Sequence, residues 1–188
     1  MIRAKLAASV RRGGFLALTV RGIRLPGAAE RIAAVYPVRP VGLSQVFLTE
    51  LRALTDEKGQ PWEKVLGVDA RFAAGGPIPK GLALFARAAW KRVEARLLGE
   101  AEAPRTVLFL HDAGLLARYW DEGGRELLVT LQGAARRPAE APHGLWLLCP
   151  VETRSQLPHV DGRTVECIGG DGERTHLDGA FLDALREA

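Results

Sequence analysis

Residues 105–124, RTVLFLHDAGLLARYWDEGG, contain the pattern that decides the fold. A continuous apolar run from Val107 to Leu110 has the length of a strand, His111 ends it, and a helix-like run follows Asp112. An apolar run without polar alternation is typical of a strand that is buried on both faces. An acidic residue between such a strand and a helix is either a candidate catalytic or metal-binding carboxylate or a helix cap.

The rest of the sequence alternates strand-like and helix-like runs around this stretch. Strands are predicted at residues 15–20, 37–43, 144–150 and 163–170, and the prolines in the second run limit it to an edge strand. Helices are predicted at residues 2–12, 26–36, 45–58, 81–98, 113–120, 123–137 and 176–188. Ser44 and Asp178 are the predicted N-caps of two of these helices. Residues 61–81 are predicted to be irregular, with one helical turn at 62–66.

Apolar strands separated by helices predict an α/β fold of three layers, with a mostly parallel sheet and helices on both of its faces. The length of 188 residues fits a single domain, residues 1–188, in which residues 1–14 form a short N-terminal helical arm. The order of strands also suits a degenerate domain of the P-loop or AAA type, which is an analogy at the level of the fold only.

Composition limits the classes of protein that fit this chain. Apolar residues make up 47% and charged residues 26% of the sequence, which is ordinary for a folded domain. The two cysteines, Cys149 and Cys167, each end an apolar run and are predicted to be buried thiols, which favours a reducing cytoplasm. No run is long enough to span a membrane, and the first residues lack the apolar core of a signal peptide. We therefore expect a cytoplasmic protein without a membrane partner.

Positive charge is concentrated near the start of the sequence. Residues 1–40 hold eight Lys or Arg and one acid, a net charge of +7, whereas the remainder holds 18 basic and 21 acidic residues, a net charge of −3. A basic segment can bind phosphates, an anionic partner or nucleic acid, although a solvated face is the commoner role. The candidates for phosphate or nucleic-acid contacts are Arg11, Arg12, Arg21 and Arg24, with Arg3 and Lys5 in the same segment.

Most catalytic and cofactor motifs are absent from the sequence. The first strand leads into RGIRLPGAAERI, which has no GK[ST]. We also expect this turn to lack the glycine geometry of a phosphate-binding loop. The four histidines and two cysteines match no zinc spacing, and neither GxSxG nor a GxGxxG after a strand occurs. The sequence therefore predicts no metal and no cofactor, and it favours a protein that is not an enzyme.

Asp112 and His111 remain the only candidate catalytic residues. The apolar strand followed by an acid is similar to the magnesium-binding strand of P-loop ATPases, but His111 separates the acid from the strand here. We expect Asp112 to cap the following helix, worth about 1 kcal/mol, and His111 to be hydrogen-bonded at the strand end. Catalysis by Asp112 would need a second acid nearby, such as Asp69 or Glu122. Trp120, at a helix end, is the candidate for a partner surface.

Three pieces of the sequence, RRGGFLALTV, VLFLHDAGLLARY and GLWLLCP with the later LPHVDGRTVECI, together span most of residues 11–168. They resemble the C-terminal α/β module of the PglW-like serine/threonine kinases of BREX/Pgl phage-defence systems. The chain has no glycine-rich kinase loop, no HRD and no DFG, so the resemblance transfers no catalytic residue.

This resemblance implies a non-catalytic interaction or regulatory domain of a bacterial antiviral system. Its partners would be proteins of a defence complex or neighbouring domains of a longer chain. Two alternatives stay open: a metal-dependent phosphoryl-transfer or nuclease enzyme that uses Asp112, and a DNA-binding module that uses the basic N-terminal segment.

Overall fold

The computed structural model describes residues 1–73, 75–101, 106–137 and 139–185. Within these ranges the helices are α1 (Ile2–Arg12), α2 (Ala28–Val35), α3 (Leu43–Glu57), α4 (Trp62–Ala73), α5 (Lys80–Glu100), α6 (Gly114–Arg118), α7 (Gly124–Ala135) and α8 (Gly179–Asp183). The strands are β1 (Gly14–Arg21), β2 (Arg39–Gly42), β3 (Val107–His111), β4 (Gly144–Val151), β5 (His159–Val160), β6 (Arg163–Thr164) and β7 (Arg174–Leu177). Short 3₁₀ turns cover Gly22–Arg24, Trp120–Glu122 and Gly170–Glu173.

Five of the strands form one sheet in the order β2-β3-β4-β1-β7, and every neighbouring pair in it is parallel. Strands β5 and β6 form a separate antiparallel hairpin around the Asp161-Gly162 turn. The predicted α/β fold with a parallel sheet is confirmed. β2 lies at one edge of the sheet, where its one proline, Pro40, is tolerated because a proline nitrogen has no hydrogen to donate to a neighbouring strand.

Side chains of each central strand alternate between two apolar cores. On β1, Phe15 and Ala17 point into a larger core with α3, α5, α6 and α7, while Leu16 and Leu18 point into a smaller core with α1, α2 and α8. Both sets are buried, which explains why the sequence of β1 shows no polar alternation. The Cys149 thiol of β4 is fully buried in the larger core, and burial raises its pKa.

The connections after β1 and β4 leave the sheet on opposite faces. The chain after β1 enters α2, which packs in the smaller core, whereas the chain after β4 enters the β5–β6 hairpin, whose Val160 packs in the larger core. β1 and β4 are neighbours in the sheet. The segments that follow them diverge to opposite faces, and a crevice lies between these segments at the carboxyl ends of the two strands. Open α/β sheets bind ligands at this kind of position.

Helix α1 packs on the sheet as part of the smaller core. Its Leu6 is fully buried, and the indole Nε1 of Trp146 on β4 donates a hydrogen bond of 2.8 Å to the Ser9 hydroxyl. Residues 1–14 therefore pack against the domain and do not extend away from it as a free arm. A chain turn at Gly13, which has a φ of 76°, then reverses the direction into β1.

The prediction of an irregular segment at residues 61–81 was wrong over most of its length. Residues Trp62 to Ala73 form the twelve-residue helix α4. Trp62, Val65 and Phe72 recur on one face of this helix and pack against the larger core. Gly67 inside the helix and the Gly-Pro steps after it obscured that stripe in the sequence, and tertiary packing outweighs the helix propensity lost at one glycine.

The C-terminal third of the chain also differs from the sequence-based expectation. The strand expected at residues 163–170 is only Arg163–Thr164, and the helix expected from residue 176 begins at Gly179. Residues Arg174–Leu177 form β7 instead, a strand too short for its alternating burial to be evident in sequence. The Asp178 cap is confirmed, because its Oδ1 accepts a hydrogen bond of 2.8 Å from the Phe181 amide.

The junction between α6 and α7 depends on a glycine. A Cβ placed on Gly124 would lie 2.4 Å from the carbonyl oxygen of Leu116 and 3.0 Å from that of Tyr119, and both are backbone atoms that cannot turn away. The Gly124 amide also donates to the Tyr119 carbonyl at 3.1 Å. Gly124 therefore allows the two helices to meet at this distance.

We expect Gly124→Ala to lower the free energy of unfolding by about 2–3 kcal/mol, because overpacking against backbone forces the helices apart. Gly133→Ala in the same helix is the matched control, since its Cβ would meet only the flexible Arg137 side chain at 3.5 Å. That control should be neutral or stabilise by up to about 1 kcal/mol through helix propensity. Urea denaturation measures both changes, and equal effects would contradict the packing argument.

Candidate functional site

The crevice at the carboxyl ends of β1 and β4 is the site that the topology favours for a ligand. It has a volume of about 480 Å³ and is lined by Arg21, Gly22, Ile23, Pro150, Val151, Glu152, Gln156, His159 and Asp161. The residues come from three elements: the turn after β1, the end of β4 with its loop, and the β5–β6 hairpin. We call this site the switch-point crevice.

The turn between β1 and α2 borders the crevice and has a spacing that the sequence interpretation missed. Residues 22–29 read GIRLPGAA, so Gly22 and Gly27 stand five positions apart, as the glycines of a GxxxxGK[ST] loop do. Gly27 is the N-cap of α2 and has a φ of 68°, which favours glycine. The prediction that this turn lacks the glycine geometry of a phosphate-binding loop overlooked this spacing.

The chemistry of that motif is nevertheless missing from the turn. The two residues after Gly27 are Ala28 and Ala29, where the motif has its lysine and its hydroxyl residue. They are 0% and 5% exposed and pack in the smaller core. These methyl groups can neither neutralise a phosphate nor bind a magnesium ion, so they serve helix packing instead.

The side chain of Arg31 covers the same turn from within the chain. Its Nη2 donates a hydrogen bond of 3.2 Å to the Pro26 carbonyl, and a Cβ on Gly27 would lie 2.9 Å from its Nη1. The guanidinium therefore lies across Gly27, on the backbone that a phosphate-binding loop presents to its ligand.

Asp112 follows β3 at the same edge of the sheet, and its backbone is anchored by another helix. Asp112 has a φ of 51°, and its carbonyl accepts hydrogen bonds from the amide of Ser44 at 3.0 Å and from the Ser44 hydroxyl at 2.7 Å. The Ser44 hydroxyl in turn accepts from the Leu115 amide at 3.5 Å. Ser44 thus connects the start of α3 with the start of α6.

Two capping predictions were therefore wrong. The N-cap of α6 is Ala113, no side chain caps that helix from its own N-cap position, and the described residues give the exposed Asp112 carboxylate no hydrogen bond or ion pair. Helix α3 begins at Leu43 with Gly42 as its N-cap, so Ser44 lies inside the helix and caps the neighbouring one instead. Ser44 and Asp112 have in effect exchanged the roles that local sequence assigns to them.

His111 is half-buried at the end of β3, with its ring centroid 6.1 Å from that of Phe109. We predicted a hydrogen bond for the His111 ring, but the ring has no hydrogen-bond partner among residues 1–73, 75–101, 106–137 and 139–185. His111 also occupies the position directly after the apolar run, where a magnesium-binding strand has its acid. The described part of the chain contains no group of three or more His, Cys, Asp or Glu side chains that could hold a metal ion.

No hydrogen bond or ion pair within the described part of the chain joins Asp112 to either acid proposed to assist it. Asp69 forms a salt bridge of 2.8 Å with Arg118 and accepts a hydrogen bond from the Tyr119 hydroxyl. Burial, followed by that hydrogen bond to Asp69, raises the pKa of Tyr119. Glu122 lies in the 3₁₀ turn between α6 and α7, where burial raises its pKa. Asp69 therefore links α4 to α6 within the helical layer.

The charges of the switch-point crevice are mixed. Arg21 is the only cation in its lining, and it faces two acids, Glu152 and Asp161. Both ring nitrogens of His159 are buried without a hydrogen-bond partner in the described structure. A Cβ on Gly114 would lie 3.3 Å from the Asp161 Oδ2, which places this acid at the start of α6. Gly114 follows Asp112 by two positions in the sequence.

The basic residues predicted to contact phosphates fall into two separate groups. Arg11 and Arg12 end α1 and precede β1, whereas Arg21 ends β1 and Arg24 follows it. The eight residues of β1 separate the groups by about 23 Å at roughly 3.3 Å per residue. Arg24 also forms an exposed salt bridge of 3.0 Å with Asp183. The structure does not bring the four arginines into one patch.

Exposed apolar side chains near the crevice were also missed from the sequence. Ile23 in the turn after β1 is 83% exposed, and Leu157 after β4 is 60% exposed. Trp120, the residue predicted for a partner surface, is half-buried and packs against the larger core. The only sequence signal for Ile23 was a large aliphatic residue in a turn without apolar neighbours at helical spacing.

No protein-family model matches the chain, and neither the curated proteins nor the solved structures compared with it include a match. Among the described residues, no helix combines the length and the apolar character needed to cross a lipid bilayer.

The backbone at Asp112 gives a test of what its side chain contributes. We expect Asp112→Ala to lower the free energy of unfolding by about 1 kcal/mol, because aspartate tolerates the left-handed region, here a φ of 51°, better than alanine does. Asp112→Gly should instead be neutral or stabilising, since glycine adopts this φ without strain. A loss of stability of equal size in both variants, measured by chemical denaturation, would show that the carboxylate caps a helix after all.

Proposed function

We propose that this chain is a non-catalytic interaction or regulatory α/β module, built on an ATPase-like sheet, that serves a bacterial antiviral system. One observation carries the proposal: the positions that would do phosphate chemistry hold residues that cannot. Ala28 and Ala29 replace a lysine and a hydroxyl residue, and His111 stands where the strand of a magnesium site has its acid.

The order of the strands supports the ATPase-like part of this proposal. The strand that leads into the GxxxxG turn, β1, lies beside β4 in the middle of the sheet, and β3 with its terminal His111 and Asp112 lies beyond β4. The turn after β1 and the residues after β3 therefore face the same carboxyl edge. This is the placement that a nucleotide-hydrolysing sheet would use, here without the side chains that hydrolysis needs.

The electrostatics of the switch-point crevice argue against a nucleotide there. Glu152 and Asp161 would repel phosphate groups, and the single cation of the lining, Arg21, cannot offset two acids. The Arg31 side chain already covers the turn. Exposed Ile23 and Leu157 at the same edge suit contact with another protein surface, because burying aliphatic side chains favours association.

The antiviral part of the proposal rests on the resemblance of residues 11–168 to the PglW-like module. It implies partners that are proteins of a defence complex or neighbouring domains, in the cytoplasm. Of the alternatives, an enzyme using Asp112 has less support, since neither Asp69 nor Glu122 joins it. A DNA-binding surface through the basic segment has less support because Arg11 and Arg12 lie at the opposite end of β1 from Arg21 and Arg24.

Calorimetric titration with ATP and magnesium tests the ATPase-like but non-catalytic reading. We expect no magnesium-dependent heat, because Ala28 and Ala29 provide neither charge nor metal ligand. Magnesium-dependent binding that is lost in Gly27→Val, with the fold retained by circular dichroism, would overturn the proposal. A titration with magnesium alone is the control for binding of the ion elsewhere.

Phage plating on cells that carry the complete defence system separates contact from catalysis. Asp112→Asn removes the charge but keeps the shape of the side chain, and we expect full protection in that variant. Ile23→Glu should reduce protection at least tenfold, because a charge would enter the proposed contact surface. Leu84→Glu is the matched control on α5, where the leucine is also exposed. Loss of protection in a folded, normally expressed Asp112→Asn variant would favour the enzyme instead.

A further inference from the structure

A second cleft runs along the edge of the sheet that β7 forms. β7 pairs only with β1, so its other side has no neighbouring strand. The cleft has a volume of about 670 Å³, within the range of small-molecule sites. It is lined by Met1, Ile2, Arg3, Lys5, Thr19, Arg154, Gln156, Asp171, Arg174, Thr175, His176, Asp178 and Phe181. We call it the β7 cleft.

Cations outnumber acids in the β7 cleft, and the acids are already engaged. Its cationic side chains are Arg3, Lys5, Arg154 and Arg174. Asp171 pairs with Arg174 at 2.8 Å, and Asp178 caps α8 through the Phe181 amide. Arg154 has no hydrogen bond or ion pair within the described part of the chain. The lining therefore retains a net positive charge that no protein carboxylate offsets.

Lys5 contributes a positive charge that neutral groups hold in place. Its ammonium donates to the backbone carbonyls of Asp171 at 2.6 Å and of Arg174 at 2.7 Å. Carbonyl oxygens fix the position of the ammonium but do not neutralise it. Burial lowers the pKa of Lys5 and the Arg174 cation adds to this effect, while the Asp171 carboxylate opposes it. An anion in the cleft would relieve the unfavourable burial of this charge.

Hydroxyl and imidazole groups of β1 and β7 add polar contacts to the same lining. Thr175 is only 7% exposed, and its hydroxyl has no hydrogen-bond partner among the residues that the structure describes. A buried hydroxyl without a partner costs free energy, which a bound acceptor would recover. Thr19 Oγ1 lies 3.1 Å from His176 Nδ1. Burial lowers the pKa of His176, with Arg154 and Arg21 contributing and Asp178 opposing.

We propose that the β7 cleft binds a phosphorylated small molecule, whose phosphate faces the cations and accepts a hydrogen bond from Thr175. The apolar side chains of Ile2 and Phe181 in the lining would contact the carbon part of the ligand. The site uses none of the residues of the turn between β1 and α2, so it is independent of the regulatory function proposed above. Arg11, Arg12 and Arg24 lie outside the lining, which favours a compact ligand over a nucleic-acid strand.

Inorganic pyrophosphate is the probe for this site, titrated by calorimetry and by NMR of the histidine ring protons. Sodium chloride at matched ionic strength corrects for salt effects. We expect saturable binding and an upward shift in the pKa of His176, because an anion stabilises the imidazolium. Arg154→Gln and Thr175→Val should each weaken binding about tenfold or more, as expected for losing one hydrogen bond to a charged group.

Arg11→Gln is the matched control, since it removes one exposed charge from α1 outside the cleft, and we expect unchanged affinity. Thr175→Val should keep or raise stability because it removes an unpaired buried hydroxyl. Arg154 is exposed and makes no contact that folding needs, so its variant tests the site even if Thr175→Val folds poorly. Absence of saturable binding, an equal loss in Arg11→Gln, or displacement of pyrophosphate by a single-stranded oligonucleotide at lower concentration would each overturn the proposal.

Discussion

The burial of β1, β3 and β4 on both faces is the constraint on which the rest of this structure depends. Nearly every residue of these strands is buried, so only side chains at or near the strand ends, such as Arg21 and His111, can meet solvent. Helices must cover both faces of the sheet, and polar groups that bind or react can only lie beyond the strand ends or along the outer edges. Both candidate sites of this chain follow that rule.

The turn after β1 has the glycine spacing of a phosphate-binding loop, but its next two positions are used for packing. Ala28 and Ala29 bring α2 close to the sheet, and both are buried among large side chains. A lysine at the first of these positions would need to leave that core to reach a ligand. The same backbone therefore supports either a reactive turn or a tightly packed helix, and this chain has the second.

Much of the fold could be predicted from the sequence because its central strands are long and apolar and its helices α1, α3, α5 and α7 have clear stripes. The failures have identifiable physical causes. α4 contains a glycine that local propensity penalises, and β7 has four residues, fewer than a period-two pattern needs. Neither error came from a wrong view of the core.

The candidate sites were harder to predict than the fold because their residues meet through tertiary contacts. Ser44 has the composition of a cap for its own helix, yet its hydroxyl contacts Asp112 and Leu115, which lie about 70 positions away. Lys5 and Thr175 contact the same cleft from opposite ends of the chain. The glycine spacing at Gly22 and Gly27 was visible in the sequence, but it carried little weight without the lysine that normally follows.

The hydrogen bond from Lys5 to the Arg174 carbonyl has a consequence for solubility as well as for ligands. An open strand edge invites another chain to extend the sheet, and a charged ammonium held there makes such pairing unfavourable. The opposite edge is protected in a different way, by Pro40 within β2 and by the salt bridge of 2.9 Å between Arg39 and Glu100. Each edge strand of the sheet thus has a feature that disfavours pairing with a strand of another chain.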